Sequence, residues 1–146
     1  TLHTNDAAST ITRMVDMGVD PFMVVSSTLL VSAQRLIRRV CPHCKEAYKA
    51  PTERLLQIGY TEEEAEQKPD LFRGKGCARC SNGYSGRFAI LETLPVNDEI
   101  KRMVVAGHSS IEVRTKAIEQ GMITLRRAAL LNALRGFNVA PPSLPG

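Results

Sequence analysis

Four cysteines stand in two pairs, Cys41/Cys44 and Cys77/Cys80, each pair with two residues between its sulfurs. That spacing lets a tight turn aim both thiolates at one ion, and two such turns complete the tetrahedron that zinc takes. The 32 residues between the pairs, 45–76, exceed the roughly 15–20 common between zinc-ribbon knuckles, so a small insertion is expected there. A disulfide framework and a redox-active pair are the competing chemistries. The first needs an oxidising compartment and is dispensable in a chain long enough to bury a core. The second wants one reactive pair at a helix start, whereas both pairs here run into polar or Gly-rich sequence. A structural zinc held by Cys41, Cys44, Cys77 and Cys80 is the expectation. His43 is then an exposed turn residue, because four sulfurs already fill the coordination shell. Four thiolates with one divalent ion would lower the formal charge from +4 to +2.

The chain that must position these sulfurs has 146 residues, 43% hydrophobic and 23% charged, with 10 Gly and 8 Pro. This composition is that of a soluble globular domain and excludes collagen, low-complexity fibre and disorder throughout. Nineteen Lys and Arg against 15 Asp and Glu give a mild basic excess, short of the dense basic surface of a dedicated DNA binder. The longest uncharged stretch, Pro21 to Gln34, has 14 residues and four hydroxyls, whereas a membrane helix needs roughly 20 apolar residues. No transmembrane segment is expected. The chain opens Thr1-Leu2-His3-Thr4 without a Met or a signal-peptide pattern, and it is expected to be a piece of something longer.

Helix signals recur along the chain. Asp6 can cap a helix carrying Ala7, Ile11, Met14 and Val15 at helical spacing, with Gly18 at its end. Asp20-Pro21 opens a second helix. Residues 32–40 fit a helix or a short strand equally by periodicity. Thr52 can cap a short helix ending at Gly59, and Thr61 with Glu64 has capping-box spacing; these two helices would form the insertion between the cysteine pairs. Residues 86–94 read as a strand ended by Pro95, followed by helices over about 98–106, 111–120 and 125–135, the second opened by the capping box Ser109/Glu112. After Gly136 the Pro-rich tail is expected to be disordered.

The segments Thr1-Leu2-His3-Thr4-Asn5-Asp6, Arg13-Met14-Val15-Asp16-Met17-Gly18, Ala33-Gln34-Arg35-Leu36, Arg38-Arg39-Val40-Cys41-Pro42, Gly83-Tyr84-Ser85-Gly86-Arg87 and Gly121-Met122-Ile123-Thr124-Leu125-Arg126 occur in this order. Together they resemble the C-terminal part of the type II secretion and type IV pilus assembly ATPases, the GspE/PilB family. The resemblance covers nearly all of residues 1–136, and it decides residues 32–40 in favour of a strand. It implies an α+β piece of a RecA-like α/β ATPase core with an inserted four-Cys zinc subdomain and a C-terminal helical bundle. The implied divisions are residues 1–40 as core, 41–86 as the zinc-binding subdomain, 87–136 as a strand plus helical subdomain, and 137–146 as a disordered tail.

The same resemblance implies an ATP- and Mg2+-dependent homo-hexameric motor on the cytoplasmic face of the bacterial inner membrane, working with the platform protein of a secretion or pilus machine. His3 matches the family's histidine box, where an imidazole can hydrogen-bond a phosphate oxygen or a catalytic water. Arg35, within the Ala-Gln-Arg-Leu match, and Arg87, after the second knuckle, are implied to be nucleotide-linked. Arginine suits phosphate through its bidentate, always-charged fork, while solvated strand positions are the plain alternative for both. No Gly-x-x-x-x-Gly-Lys-Ser/Thr phosphate loop occurs in the chain, so it is expected to hydrolyse no ATP alone. The family's acidic last helix is replaced by Phe137-Asn138-Val139 and the Pro-rich tail. Arg126 and Arg127 make the helix before it basic, a change expected to alter surface contacts more than fold.

Two other functions fit parts of the sequence. Four basic and no acidic residues lie between residues 71 and 91, but with four Phe, three Tyr and no Trp in the chain the stacking platforms of a nucleic-acid module are thin, and no nucleic-acid partner is expected. A zinc-stabilised protein-interaction adaptor without enzymatic activity is the alternative reading.

Overall fold

Asp6, extended at φ −154°, accepts the Ser9 N–H at 2.7 Å and starts helix α1 (Ala7–Asp16). Asp20 does the same for α2 (Pro21–Ser27), accepting from Phe22 N–H at 2.8 Å with Pro21 at the first helical position, where its missing N–H costs nothing. Strand β1 (Leu30–Val40) follows, then β2 (Lys45–Lys49), α3 (Thr52–Ile58), α4 (Glu62–Glu66), β3 (Asp70–Gly74), β4 (Tyr84–Pro95), α5 (Asp98–Val105), α6 (Ser110–Glu119) and α7 (Leu125–Leu134). This computed structural model describes residues 2 and 4–141. Among them the fold is α+β, with seven helices and two two-stranded sheets, β1 beside β4 and β2 beside β3. No described helix is long and apolar enough to cross a membrane.

Two compact units divide the chain, residues 1–34 with 91–125 and residues 35–90 with 126–146. In the first, Ala7, Ala8 and Ile11 of α1 meet Val24, Val25, Leu94, Ile100, Val104, Val113 and Ala117 in one buried cluster. Ile100 is fully buried, so burial of its side chain contributes about 1.5–3 kcal/mol. The alternation of β4 turns Ile90, Glu92 and Leu94 inward, which sets a carboxylate at a core position. Its oxygens accept the Ala7 N–H at 2.8 Å and the Leu125 N–H at 3.1 Å, replacing the water a buried polar group must otherwise keep.

In the second unit, Leu55, Ile58, Tyr60, Ala65 and Leu71 pack with Leu130 of α7. The Tyr60 hydroxyl donates to the Leu130 carbonyl at 2.8 Å, and burial, reinforced by the nearby Glu64 carboxylate, pushes its pKa up to about 12. Glu64 serves twice. It closes the α4 capping box with Thr61 and accepts both Arg127 guanidinium nitrogens, at 2.8 and 2.9 Å, the bidentate geometry that makes such pairs strong. Arg127 is the main reason the Glu64 carboxyl sits near 2 instead of 4.5. A lowered folded-state pKa stabilises the protein above about 4.5 and loses that contribution as the pH falls towards 2. With the Glu64 side chain only 19% exposed, Glu64→Gln is expected to cost roughly 1–3 kcal/mol at pH 7. It should also flatten the acid limb of a stability-versus-pH curve between 4.5 and 2, measured by denaturant unfolding. An unchanged acid limb would count against the pairing.

Several expectations from sequence change. Thr52 is the first residue of α3 and not its cap; Pro51 holds the cap position without a side-chain hydrogen bond. The insertion between the cysteine pairs contains the two expected helices and also the antiparallel pair β2/β3, aligned Lys45↔Gly74, Glu46↔Arg73, Ala47↔Phe72, Tyr48↔Leu71 and Lys49↔Asp70. Arg126 and Arg127 fasten the fold and do more than alter its surface: Arg126 Nη2 donates to the last carbonyl of α3, Ile58, at 2.6 Å, and Arg127 reaches α4. The first residues of the expected tail, Phe137 and Asn138, bond to the fold. The Phe137 carbonyl accepts the Val40 N–H at 2.9 Å, and Asn138, 5% exposed, donates to the Ala129 and Val139 carbonyls. Residues 142–146 lie outside the described residues.

Candidate metal centre

The ends of three strands deliver the four sulfurs to one place. Cys41 follows β1, Cys44 precedes β2, and Cys77 and Cys80 lie in the loop from β3 to β4. Because Lys45 pairs with Gly74, the chain leaving β3 passes directly beside Cys44: the Lys75 N–H donates to the Cys44 carbonyl at 3.1 Å and the Gly76 N–H to the Cys44 sulfur at 3.3 Å. The first knuckle is tied to the turn after the second by the Cys41 N–H, which donates to the Gly83 carbonyl at 2.8 Å.

Gly83, at φ 91°, closes the turn in which Ser81 and Tyr84 bond each other. Its backbone runs against that of Gly74 so closely that a Cβ on either residue would overlap the other's main chain. Here glycine is demanded by space as well as by dihedral angle.

The sulfurs of Cys41 and Cys77 are 3.8 Å apart, those of Cys44 and Cys80 3.7 Å, and those of Cys77 and Cys80 3.6 Å, with all four within 4.8 Å of one another. A tetrahedron with zinc–sulfur bonds of 2.3 Å has edges of about 3.8 Å, so the donor set fits a tetrahedral thiophilic ion. The cysteines are not bonded to one another. The four are positioned to bind a metal ion. Cys41 is buried, Cys44 and Cys80 are half-buried and Cys77 is exposed.

Their protonation differs. Burial raises Cys80, but the Cys77 and Gly83 N–H groups and the neighbouring Cys77 and Cys44 thiols outweigh it and bring it down to about 7. Cys77 receives the Arg79 N–H, which lowers it, yet burial and hydrogen bonds with the other three cysteines push it up to about 11. Burial leads the rise at Cys44. A metal ion, which requires thiolates, would replace this shared-proton arrangement with four sulfur–metal bonds.

His43 is exposed and outside the four-sulfur cluster. Arg35 on β1 and Arg87 on β4 are both exposed, on strands that pair, and neither belongs to the metal cluster. His3 lies outside the described residues. Two features went unread in the sequence. Glu92 stands in phase with Ile90 and Leu94, so strand alternation alone marks an acid on a core face. The Gly74–Gly83 approach has no sequence signal, because it depends on the β2/β3 register.

The family model for type II/IV secretion system proteins matches residues 1–142. The chain belongs to this family. Among curated relatives, the type IV pilus assembly ATPase PilB of Thermus thermophilus is 49% identical over 138 residues, 94% of this chain and 15% of the relative. The pilus assembly ATPase PilB of Pseudomonas aeruginosa is 40% identical over 94% of this chain and 24% of its own length. Type II secretion system protein E of Klebsiella pneumoniae is 38% identical over 94% and 27%. The chain thus spans between about a seventh and a quarter of these family members, and both secretion and pilus branches match it.

Proposed function

We propose that this chain is the C-terminal part of a hexameric, ATP-hydrolysing motor that drives type IV pilus assembly or type II protein secretion. The observation that carries this reading is identity of 38–49% over 94% of the chain to proteins named for those two machines, two of them as ATPases. In this reading residues 1–40 close a RecA-like core, residues 41–86 form a zinc-binding subdomain, and residues 87–136 add a strand and helices. The motor works on the cytoplasmic face of the bacterial inner membrane against the platform protein of its machine. His3 faces the terminal phosphate of ATP bound with Mg2+, and Arg35 and Arg87 lie with the nucleotide.

Cys41, Cys44, Cys77 and Cys80 hold zinc structurally. Protein sulfurs take all four positions, so no site is left for a substrate or an activated water. The ion's work is to hold the two knuckles and the β2/β3 pair together.

Phosphate-release assays test the motor. The full-length protein containing this chain is expected to hydrolyse ATP, and the 146-residue chain alone, which has no phosphate loop, is expected to release none. His3→Ala in the full-length protein should reduce kcat by roughly 100–1,000-fold, the range for loss of a group that stabilises or orients at the reacting phosphate. Full turnover by the His3 variant would remove that residue from the site.

A further inference from the structure

We propose that Cys77 and Cys80 are an oxidant-sensitive thiol pair, at which a peroxide forms a disulfide within the second knuckle and releases the metal; this rests on the reading of the four cysteines as a structural zinc site. Zinc neither gains nor loses electrons, so a redox response of the site belongs to its sulfurs. The four are not equivalent. Cys41 has no exposed surface, and its N–H is held by the Gly83 carbonyl at 2.8 Å. Cys44 and Cys80 are half-buried, and Cys77 is exposed.

Cys77 also stands in the surroundings that favour attack by sulfur. Reactive cysteines are accessible and electropositive in environment. Residues 71–91 carry Arg73, Lys75, Arg79 and Arg87 and no acid, and Lys75 and Arg79 flank Cys77 two residues away on either side. The same sequence surrounds no other accessible sulfur so closely.

A second thiol lies within the same loop. Cys80 Sγ is 3.6 Å from Cys77 Sγ, against 3.8 Å for Cys41 Sγ, and the Cys80 N–H donates to the Cys77 carbonyl at 3.4 Å. A disulfide is about 2.05 Å long, so the two sulfurs must close by about 1.5 Å. Cys77 and Cys80 both belong to the β3–β4 loop and can close on each other locally. Cys41 would have to leave its buried place at the end of β1.

The step balances with hydrogen peroxide as the two-electron oxidant. Metal binding requires both sulfurs as thiolates. The Cys77 sulfur attacks one peroxide oxygen; an S–O bond forms, the O–O bond breaks and hydroxide leaves, giving a sulfenic acid. The Cys80 thiolate then attacks that sulfur, forming the S–S bond as the S–O bond breaks and a second hydroxide leaves. The two sulfurs give up one electron each, and the two peroxide oxygens take them. Cys41 and Cys44 alone cannot fill the closed tetrahedron of a structural site, and the ion is lost until a dithiol reduces the pair.

The test uses the full-length protein containing this chain, first assayed for zinc with a chromophoric chelator after denaturation. Native protein is then treated with hydrogen peroxide beside the same chelator, and early in the release its thiols and disulfides are mapped by differential alkylation and mass spectrometry. About one zinc should leave for each Cys77–Cys80 disulfide formed, with Cys41 and Cys44 recovered as thiols and zinc rebound after reduction. Before any oxidation, a pulse of N-ethylmaleimide should label Cys77 faster than Cys41 by about tenfold or more. Release with a Cys41–Cys77, Cys44–Cys80 or Cys41–Cys44 disulfide in its place overturns the proposal. So does survival of the zinc and all four thiols until the exposed Met17 and Met23 have become sulfoxides, or labelling of Cys41 as fast as Cys77. Protein that holds no zinc and takes up none overturns the zinc reading itself, an outcome distinct from zinc-loaded protein that reacts elsewhere.

Discussion

Metal removal by a strong chelator is expected to release residues 41–46 and 74–87 while α1, α2, α5 and α6 keep their native amide resonances. Structural zinc contributes roughly 10–16 kcal/mol of apparent binding free energy in small finger peptides, comparable with the whole stability of a domain, so few substitutions could match its loss. The knuckles have little else to hold them: Cys77 is exposed and Cys44 and Cys80 are half-buried, and their loops contribute no side chain but Cys41 to the buried core. The first unit has its own hydrophobic cluster, from Ala7 to Ala117, which does not involve the cysteines. Helix α7 is the informative intermediate. Leu130 packs with Leu55, Ile58 and Leu71, so α7 should loosen partly with the second unit, whereas α5 and α6 should not. Backbone NMR before and after chelation reads all three regions. If the amides of residues 41–46 and 74–87 do not respond in metal-loaded protein, the structural role of the ion is wrong. Cys77→Ser should mimic the chelator, since a hydroxyl is a poor ligand beside three thiolates.

Gly74→Ala is expected to be the most damaging substitution at the site that leaves every sulfur in place. The added methyl would meet the carbonyl and Cα of Gly83, which are main-chain atoms and cannot swing aside as a side chain would. Overpacking of this kind costs about 1–3 kcal/mol and occasionally more. Here the displaced group is the carbonyl that accepts the Cys41 N–H, so the strain passes to the metal and affinity should fall with stability. Gly76→Ala is the matched control. Gly76 has a positive φ of 99° but open space around its missing Cβ, and its replacement carries only the backbone cost, about 1–2 kcal/mol. Competition for zinc with a chromophoric chelator, paired with thermal unfolding, compares the two. Equal losses would mean that the close approach of the strands is not what shapes the knuckles.

The parts of this fold legible in sequence are those whose cause is local. Asp6, Asp20, Thr61 with Glu64 and Ser109 with Glu112 each cap a helix within three residues of themselves, and the cysteine spacing announces the four-sulfur site for the same reason. Features decided by distant partners were not legible. Lys45–Lys49 carries three charges in five residues and gives no strand signal of its own. It becomes a strand because Glu46 meets Arg73 at 3.0 Å and Lys49 meets Asp70 at 3.0 Å across the pair, and opposite charges facing each other favour pairing. Phe137 and Asn138 look like the start of a disordered tail until Val40 and Ala129 are brought beside them. Arg127 looks like a surface charge until Glu64, far upstream, turns out to be its counterpart.

The division of the chain into interleaved segments bears on the order in which the protein can be made. Each compact unit takes one stretch from early in the chain and one from late, so neither can finish folding as soon as its first stretch emerges from the ribosome. The four sulfurs are all present once Cys80 has been synthesised, but the hydrophobic cluster of the same unit waits for Leu130 and Leu134 of α7. During that interval the early stretch exposes Leu55, Ile58 and Leu71 without their partner, the kind of transient apolar surface that invites misassembly. A metal ion captured at the knuckles before α7 arrives would hold the β2/β3 pair in register through that exposed stage, and would then serve as a folding template as well as a fastener.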